Sequence, residues 1–170
     1  MTSPTPLRFA ILTISDRSAR GEREDRSGPA LAEAVRARGW QVAHTEILPD
    51  DLPTLRDTLA RWADSDAYDV ILTTGGTGFA PRDVTPEATA AVIERPAPGL
   101  AEAMRAASLH ITPHAMLSRA VAGIRGTTLI VNLPGSPKAA VENLEVIAPV
   151  LPHAVSLLHD DPAAEKGHRL

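Results

Sequence analysis

DVILTTGGTGFAPRDVTPEAT, residues 69–89, is the stretch that decides the fold. Its first part, to Thr74, is a near-continuous apolar run, the pattern of a parallel strand covered on both faces. Gly75, Gly76, Thr77 and Gly78 then give up almost all side chain, and Arg82 and Asp83 lead to Thr85 and Pro86. Those two residues suit the cap and first position of a helix with ATAAVIE as its body. So much bare backbone between a strand and a helix serves either a tight turn or a bound phosphate. Glycine lets amide N–H groups approach an anion, and a following helix N-terminus adds favourable potential. The stretch has neither the Gly-Lys-Ser/Thr ending of a P-loop nor the GxGxxG of a dinucleotide fold.

The same alternation extends to both sides. LRFAILTI (7–14) reads as a second buried strand and WQVAHTEIL (40–48) as a third. Between these two, Ser27 can cap a helix that has Pro29 in its first turn, Leu31, Ala34 and Val35 on one face, and Gly39 as its stop. After Pro49-Asp50-Asp51, Leu52, Leu55, Leu59 and Trp62 recur at helical spacing. Strand and helix alternate, which specifies an α/β sheet. PAPGLAEAMRAAS (96–108) predicts one further helix. LSRAVAGI (117–124) and TTLIVNL (127–133) are joined so closely, at Arg125 and Gly126, that only an antiparallel hairpin fits. The sheet is therefore mixed. Ser136 and Pro137 begin a last long helical segment with Val141, Leu144 and Ile147 on one face, divided or kinked at Pro149 and Pro152. Residues 160–170 lack periodicity and read as a flexible tail.

The 170 residues suit one domain with a single core, without repeats or linkers. A net charge of -4 gives no global field to hold nucleic acid or an acidic membrane, so any anion must be bound locally. Aromatic residues make up 3%, too few for a base-stacking surface. The chain has no cysteine, hence no disulfide framework or thiolate metal site. No segment approaches membrane-span length and the N-terminus has no cleavage pattern, so the expectation is a soluble cytoplasmic protein.

In an open α/β sheet, ligands gather beyond the carboxyl ends of the strands. Four loops there carry candidates: Ser15-Asp16-Arg17, Pro49-Asp50-Asp51, TGGTGFAPRD and NLPGSPK. The two glycine loops are phosphate-cradle candidates. Asp50 and Asp83, each just before a helix, either cap it or hold Mg²⁺, which prefers oxygen ligands and bridges carboxylates to nucleotide phosphates. Arg82 and Lys138 can pair with phosphate. The six histidines form no close ligand group, and no nucleophile elbow surrounds Ser118 or Ser136.

Taken together, ISDRSARGEREDRSGPAL (14–31), the Pro49-Asp50-Asp51 turn, LTTGGTGFAPRDVTPEAT (72–89) and ITPHAMLSRAVAGIRGTTLIVNLPGSPKA (111–139) resemble the molybdopterin adenylyltransferases of molybdenum-cofactor biosynthesis. They are also similar to the G domains of plant Cnx and mammalian gephyrin. The resemblance spans roughly residues 7–158. It implies a three-layer α/β/α domain, a mostly parallel sheet with one antiparallel strand, and a homotrimer. It also implies transfer of AMP from ATP, with Mg²⁺, to the terminal phosphate of molybdopterin, and hand-over to a molybdenum insertase. By that resemblance Asp50 and Asp83 are catalytic and hold Mg²⁺. Gly75, Gly76, Thr77, Gly78, Arg82, Asn132, Pro134, Gly135 and Ser136 serve the nucleotide and phosphate loops, and Ser15, Asp16 and Ser118 the pterin side. The family varies where this chain has His114 and Ser136. Two alternatives stay open: a paralogue that binds molybdopterin with little adenylyl transfer, and a trimeric scaffold module.

Overall fold

The computed structural model describes residues 5–162 and residue 164. Its six-stranded sheet comprises β1 (Arg8–Ile14), β2 (Gln41–Leu48), β3 (Val70–Thr74), β4 (Arg95–Pro96), β5 (Ala122–Arg125) and β6 (Thr128–Leu133) in the order β2-β1-β3-β6-β5-β4. Strands β2, β1, β3 and β6 are mutually parallel. Strand β5 runs antiparallel to both its neighbours and is the one reversed strand, as the tight hairpin requires.

A four-residue helix, α1 (Asp16–Ala19), follows β1, and side chains alternating across the sheet divide the core in two. Phe9, Ile11, Val70, Leu72, Leu129, Val131 and Leu133 face α2 (Ser27–Ala37), α5 (Pro98–Leu109), α6 (Pro137–Ile147) and α7 (Leu151–Leu158). Ala10, Leu12, Ile14, Ile71 and Ile130 face α3 (Leu52–Asp64) and α4 (Thr85–Ala90). The result is three layers. Burial of each Leu or Ile contributes about 1.5–3 kcal/mol, which pins the register of the strands that carry them against the helices of each face.

Tertiary demands overrule several local signals. Ser27 lies inside α2 rather than capping it, because Asp25 Oδ1 accepts from Gly28 N at 3.0 Å and from the Ser27 hydroxyl at 3.3 Å. Thr85 is likewise inside α4; its hydroxyl is buried and donates to Gly75 O at 2.9 Å. That helix ends at Ala90, short of its predicted body. Residues 113–117 form a 3-10 turn, so the strand expected from Leu117 begins only at Ala122. The hairpin turn is Gly126-Thr127, one residue later than expected, since Arg125 pairs with Thr128.

The proline prediction holds: a 3-10 turn, Ala148–Val150, separates α6 from α7. Pro137–Leu158 nevertheless forms 22 helical residues, with mean hydropathy 1.2 over an 18-residue stretch of it, which corrects the expectation that no segment reaches membrane-span length. Its apolar stripe, Ala140, Leu144, Ile147, Leu151 and Val155, lies against the sheet. In the expected tail, Ala164 is buried and its N donates to Asp161 O at 2.9 Å; residues 163 and 165–170 lie outside the described residues.

Candidate functional site

The register brings the carboxyl ends of the four parallel strands together, since Ile14 pairs with Leu48, Thr13 with Thr74, and Thr74 with Leu133. The four candidate loops therefore leave the sheet along one rim. At its centre the glycine turn is packed against its neighbours, backbone to backbone. Gly75 and Gly76 have φ of 101° and 68°, left-handed values that side chains rarely tolerate. A Cβ on Gly75 would stand 2.3 Å from Ile14 O, and one on Gly135 would stand 3.2 Å from Gly75 Cα. Thr74 Oγ1 donates to Pro134 O at 2.7 Å and Gly75 N to Leu133 O at 3.2 Å, tying this turn to the second glycine loop. Packing alone thus accounts for Gly75, Gly76 and Gly135.

Two acids lean on the same turn. A Cβ on Gly76 would lie 3.1 Å from Asp50 Oδ1, and one on Gly78 would lie 2.9 Å from Asp83 Oδ2. Neither acid caps its helix through a side chain. Asp51 caps α3 by accepting from Thr54 N at 3.1 Å, and this frees Asp50. Asp83 Oδ2 accepts from Ala80 N at 2.9 Å and holds the 80–83 loop closed.

Asp16 and Asp50 grip each other's backbone. Asp16 N donates to Asp50 Oδ2 at 3.0 Å, and Asp50 N donates to Asp16 Oδ1 at 3.1 Å. Arg82 closes this pair, donating to the two carboxylate oxygens of Asp16 at 2.5 and 2.9 Å and to Asp50 O at 3.0 Å. The electrostatics diverge accordingly. The Arg82 hydrogen bond holds the Asp16 carboxyl below the usual range. Burial pushes Asp50 up, the negative charges of Asp16 and Asp83 add to that, and the Asp16 amide and Arg82 only partly oppose it.

Two cavities flank the turn. One of about 450 Å³ is lined by Ser15, Ser18, Arg23, Gly75, Gly135 and Ser136. The other, about 270 Å³ and mostly apolar, is lined by Thr77, Gly78, His114, Leu117, Ser118 and Pro134. Ser15 and Ser136 are also helix caps, accepting from Ser18 N at 3.2 Å and Ala139 N at 3.4 Å. Lys138 lies outside both linings and pairs with Glu142 at 3.7 Å. Asn132 points inward. It is 0% exposed, its amide donates to Thr73 and Thr89 hydroxyls at 3.0 and 2.9 Å, and its carbonyl accepts from Val121 N at 3.2 Å. It ties β3, β6 and α4 together and presents no atom to a ligand here. Sequence reasoning passed over Arg23, which lines the first cavity, and Arg119, which bonds the glycine loop; neither carries a spacing signal.

Asp50 and Asp83 bring hard carboxylate oxygens to one turn, the donor type that Mg²⁺ takes. Among the described residues no group of three or more His, Cys, Asp or Glu is placed to hold a metal ion.

Residues 10–153 match the family described as "Probable molybdopterin binding domain". The chain is 42% identical to gephyrin from Dictyostelium discoideum over 94% of its own length and 24% of that protein's, so it spans about a quarter of this relative. It is 42% identical to a molybdopterin adenylyltransferase from Helicobacter pylori (strain J99), covering 89% of this chain and 88% of that one. Among solved structures, the molybdopterin biosynthesis enzyme MoaB from Thermus thermophilus superposes with a TM-score of 0.86 at 53% identity, covering 92% and 98% of the two chains. With this coverage, and with its sheet order and glycine rim in place, the chain belongs to the molybdopterin-binding-domain family of molybdenum cofactor biosynthesis proteins.

Proposed function

We propose that this chain is a molybdopterin adenylyltransferase. An oxygen of the terminal phosphate of molybdopterin attacks the α-phosphorus of ATP. A new P–O–P bond forms, the bond to the β-phosphate oxygen breaks, and pyrophosphate leaves with the electron pair. The observation that carries this reading is the placement of Asp50 and Asp83 against Gly76 and Gly78 of one turn. The similarity to proteins named molybdopterin adenylyltransferase supports it.

A phosphate monoester has its second pKa near 6, so the nucleophile is largely ionised at neutral pH and needs little help from a base. The difficulty is bringing two polyanions into line, which positioning and charge neutralisation solve. Asp50 and Asp83 would hold Mg²⁺, which would supply charge neutralisation on the nucleotide phosphates. Amides of residues 76–78 would donate to phosphate oxygens, Gly75 N being engaged with Leu133 O, and the cap of α6 at Ser136 adds the potential of a helix N-terminus. Arg82 fixes the Asp16–Asp50 pair. The two cavities on either side of the turn suit two substrates meeting there. The homotrimer, the hand-over to a molybdenum insertase, the single-domain organisation and the cytoplasmic setting belong to the same proposal.

The test is incubation with Mg-ATP and molybdopterin, with pyrophosphate measured. Wild-type protein releases it, and Asp83→Asn slows release by at least about tenfold, or ~1.4 kcal/mol of barrier. Molybdopterin binding without release would reduce the protein to a binding paralogue. Neither binding nor release would leave a scaffold module.

A further inference from the structure

We propose that Arg119 is a positioning residue that holds Asp83 on the glycine turn. It follows Ser118 in the stretch between the 3-10 turn and β5, and its bonds converge on one loop. Its backbone N donates to Thr77 O at 2.8 Å, its Nε to Gly78 O at 2.7 Å and an Nη to Asp83 O at 2.7 Å. The guanidinium also pairs with the Glu87 carboxylate on α4. Arg105 of α5 steadies the segment from behind, donating to Ala120 O at 2.8 Å.

The loop between Gly78 and Asp83 is thus spanned by one planar fork, and the two carbonyls it joins belong to the residues whose contact places the acid on the turn. Three separate acceptors need the fixed donor geometry of arginine; the single ammonium of lysine serves them poorly. Engaged with Glu87 and two carbonyls, Arg119 acts by shaping the loop and is not an anion ligand. Its neighbour Ser118 lines the apolar cavity with Thr77 and Gly78, and Arg119 bonds both of the latter. Arg119 therefore holds the acid on one side of the turn and, through Thr77 and Gly78, a cavity wall on the other.

This inference rests on the proposed adenylyl transfer only for its kinetic readout. The test compares Arg119→Ala, Arg119→Lys and Glu87→Gln with wild type by hydrogen exchange of the 78–83 amides and by pyrophosphate release. In both Arg119 variants, amides 78–83 exchange about tenfold faster and kcat falls about tenfold, while KM for molybdopterin moves less than about threefold. The Mg²⁺ concentration for half-maximal turnover rises. Wild-type exchange together with wild-type kcat in a folded Arg119→Ala would overturn the assignment. If that variant does not fold, Glu87→Gln decides it: faster exchange over 78–83 supports the clamp, and unchanged exchange overturns it. Absence of pyrophosphate release from wild type would refute the proposed activity, and exchange would still decide the clamp.

Discussion

Gly78→Ala separates the role of Asp83 from the role of the turn that carries it. Gly75 and Gly76 cannot test this, since both have left-handed φ and an added Cβ on Gly75 meets the Ile14 carbonyl at 2.3 Å. Gly78 has no left-handed φ, and among the described residues its Cβ would meet only the Asp83 carboxyl group within 4 Å, with Oδ2 at 2.9 Å. Contacts this close are relieved by movement, and the flexible end of Asp83 gives way by about half an ångström, the difference from ordinary van der Waals distance. A misplacement of about 1 Å near reacting groups can cost ~100-fold in rate, so half of that costs about tenfold, or ~1.4 kcal/mol of barrier. Stability should barely change, within about 0.5 kcal/mol, because no cavity, buried polar group or strained φ is created.

Steady-state pyrophosphate release gives kcat and KM, and thermal unfolding gives the stability control. The expected result is a fall in kcat at nearly unchanged Tm. Wild-type kcat in Gly78→Ala would refute the claim that Asp83 must rest on the turn. A rise in KM for ATP at constant kcat would instead place the new methyl group in the nucleotide's path. Gly75→Ala is the contrasting variant, and it should be destabilised strongly enough to lower soluble yield.

Asp50→Asn should lose at least about tenfold in turnover yet match or exceed wild-type Tm at pH 7. Its folded-state pKa is raised, so the native state binds the proton more tightly than the unfolded state, and wild type loses stability as pH rises through that pKa. The amide variant avoids this loss, so its advantage should vanish in acid; unfolding curves at several pH values check it. Asn132→Ala strands the half-buried Val121 N–H and removes the buried bonds to Thr73 and Thr89, costing about 2 kcal/mol by denaturant unfolding. The folded fraction should keep its KM for ATP, whereas a large rise in KM would restore Asn132 to the nucleotide site.

The strands are readable because each is apolar on the faces it buries, and the carboxyl-end rule then collects the four loops from sequence alone. The caps mislead because Ser27 and Thr85 satisfy the local rule equally well, and only the fold reveals Asp25 beside Gly28 and the Gly75 carbonyl beside the Thr85 hydroxyl. Strand β4 consists of Arg95 and Pro96 alone, too short to show a period, and pairs because β5 offers it an edge. Asn132 sits in a loop-like motif but lies within β6, where its side chain reaches the Thr73 and Thr89 hydroxyls; partners 59 and 43 positions away leave no mark in the sequence. Arg119 is one arginine among many in the sequence; its importance lies in distances to residues about 30–40 positions away.

The charge around the turn explains why three acids are less redundant than they look. Asp16 carries its cation already, through the two-pronged bond from Arg82, and its carboxyl is held low. Asp50 receives from Arg82 only a bond to its carbonyl oxygen, and its carboxylate is raised by burial and by both neighbouring acids. The cation that joins the Asp16–Asp50 pair is thus spent on the residue that scaffolds it, leaving Asp50 and Asp83 to share negative charge beside the proposed phosphate cradle. A triphosphate approaching alone would meet repulsion there; Asp50 and Asp83 would hold the divalent cation of the proposed reaction, which would supply the compensating charge. Replacing Asp16 by Asn should therefore release Arg82 toward the Asp50 carboxylate, lowering the Asp50 pKa and weakening the dependence of turnover on Mg²⁺. An unchanged Mg²⁺ titration in Asp16→Asn would mean that Arg82 does not set this balance.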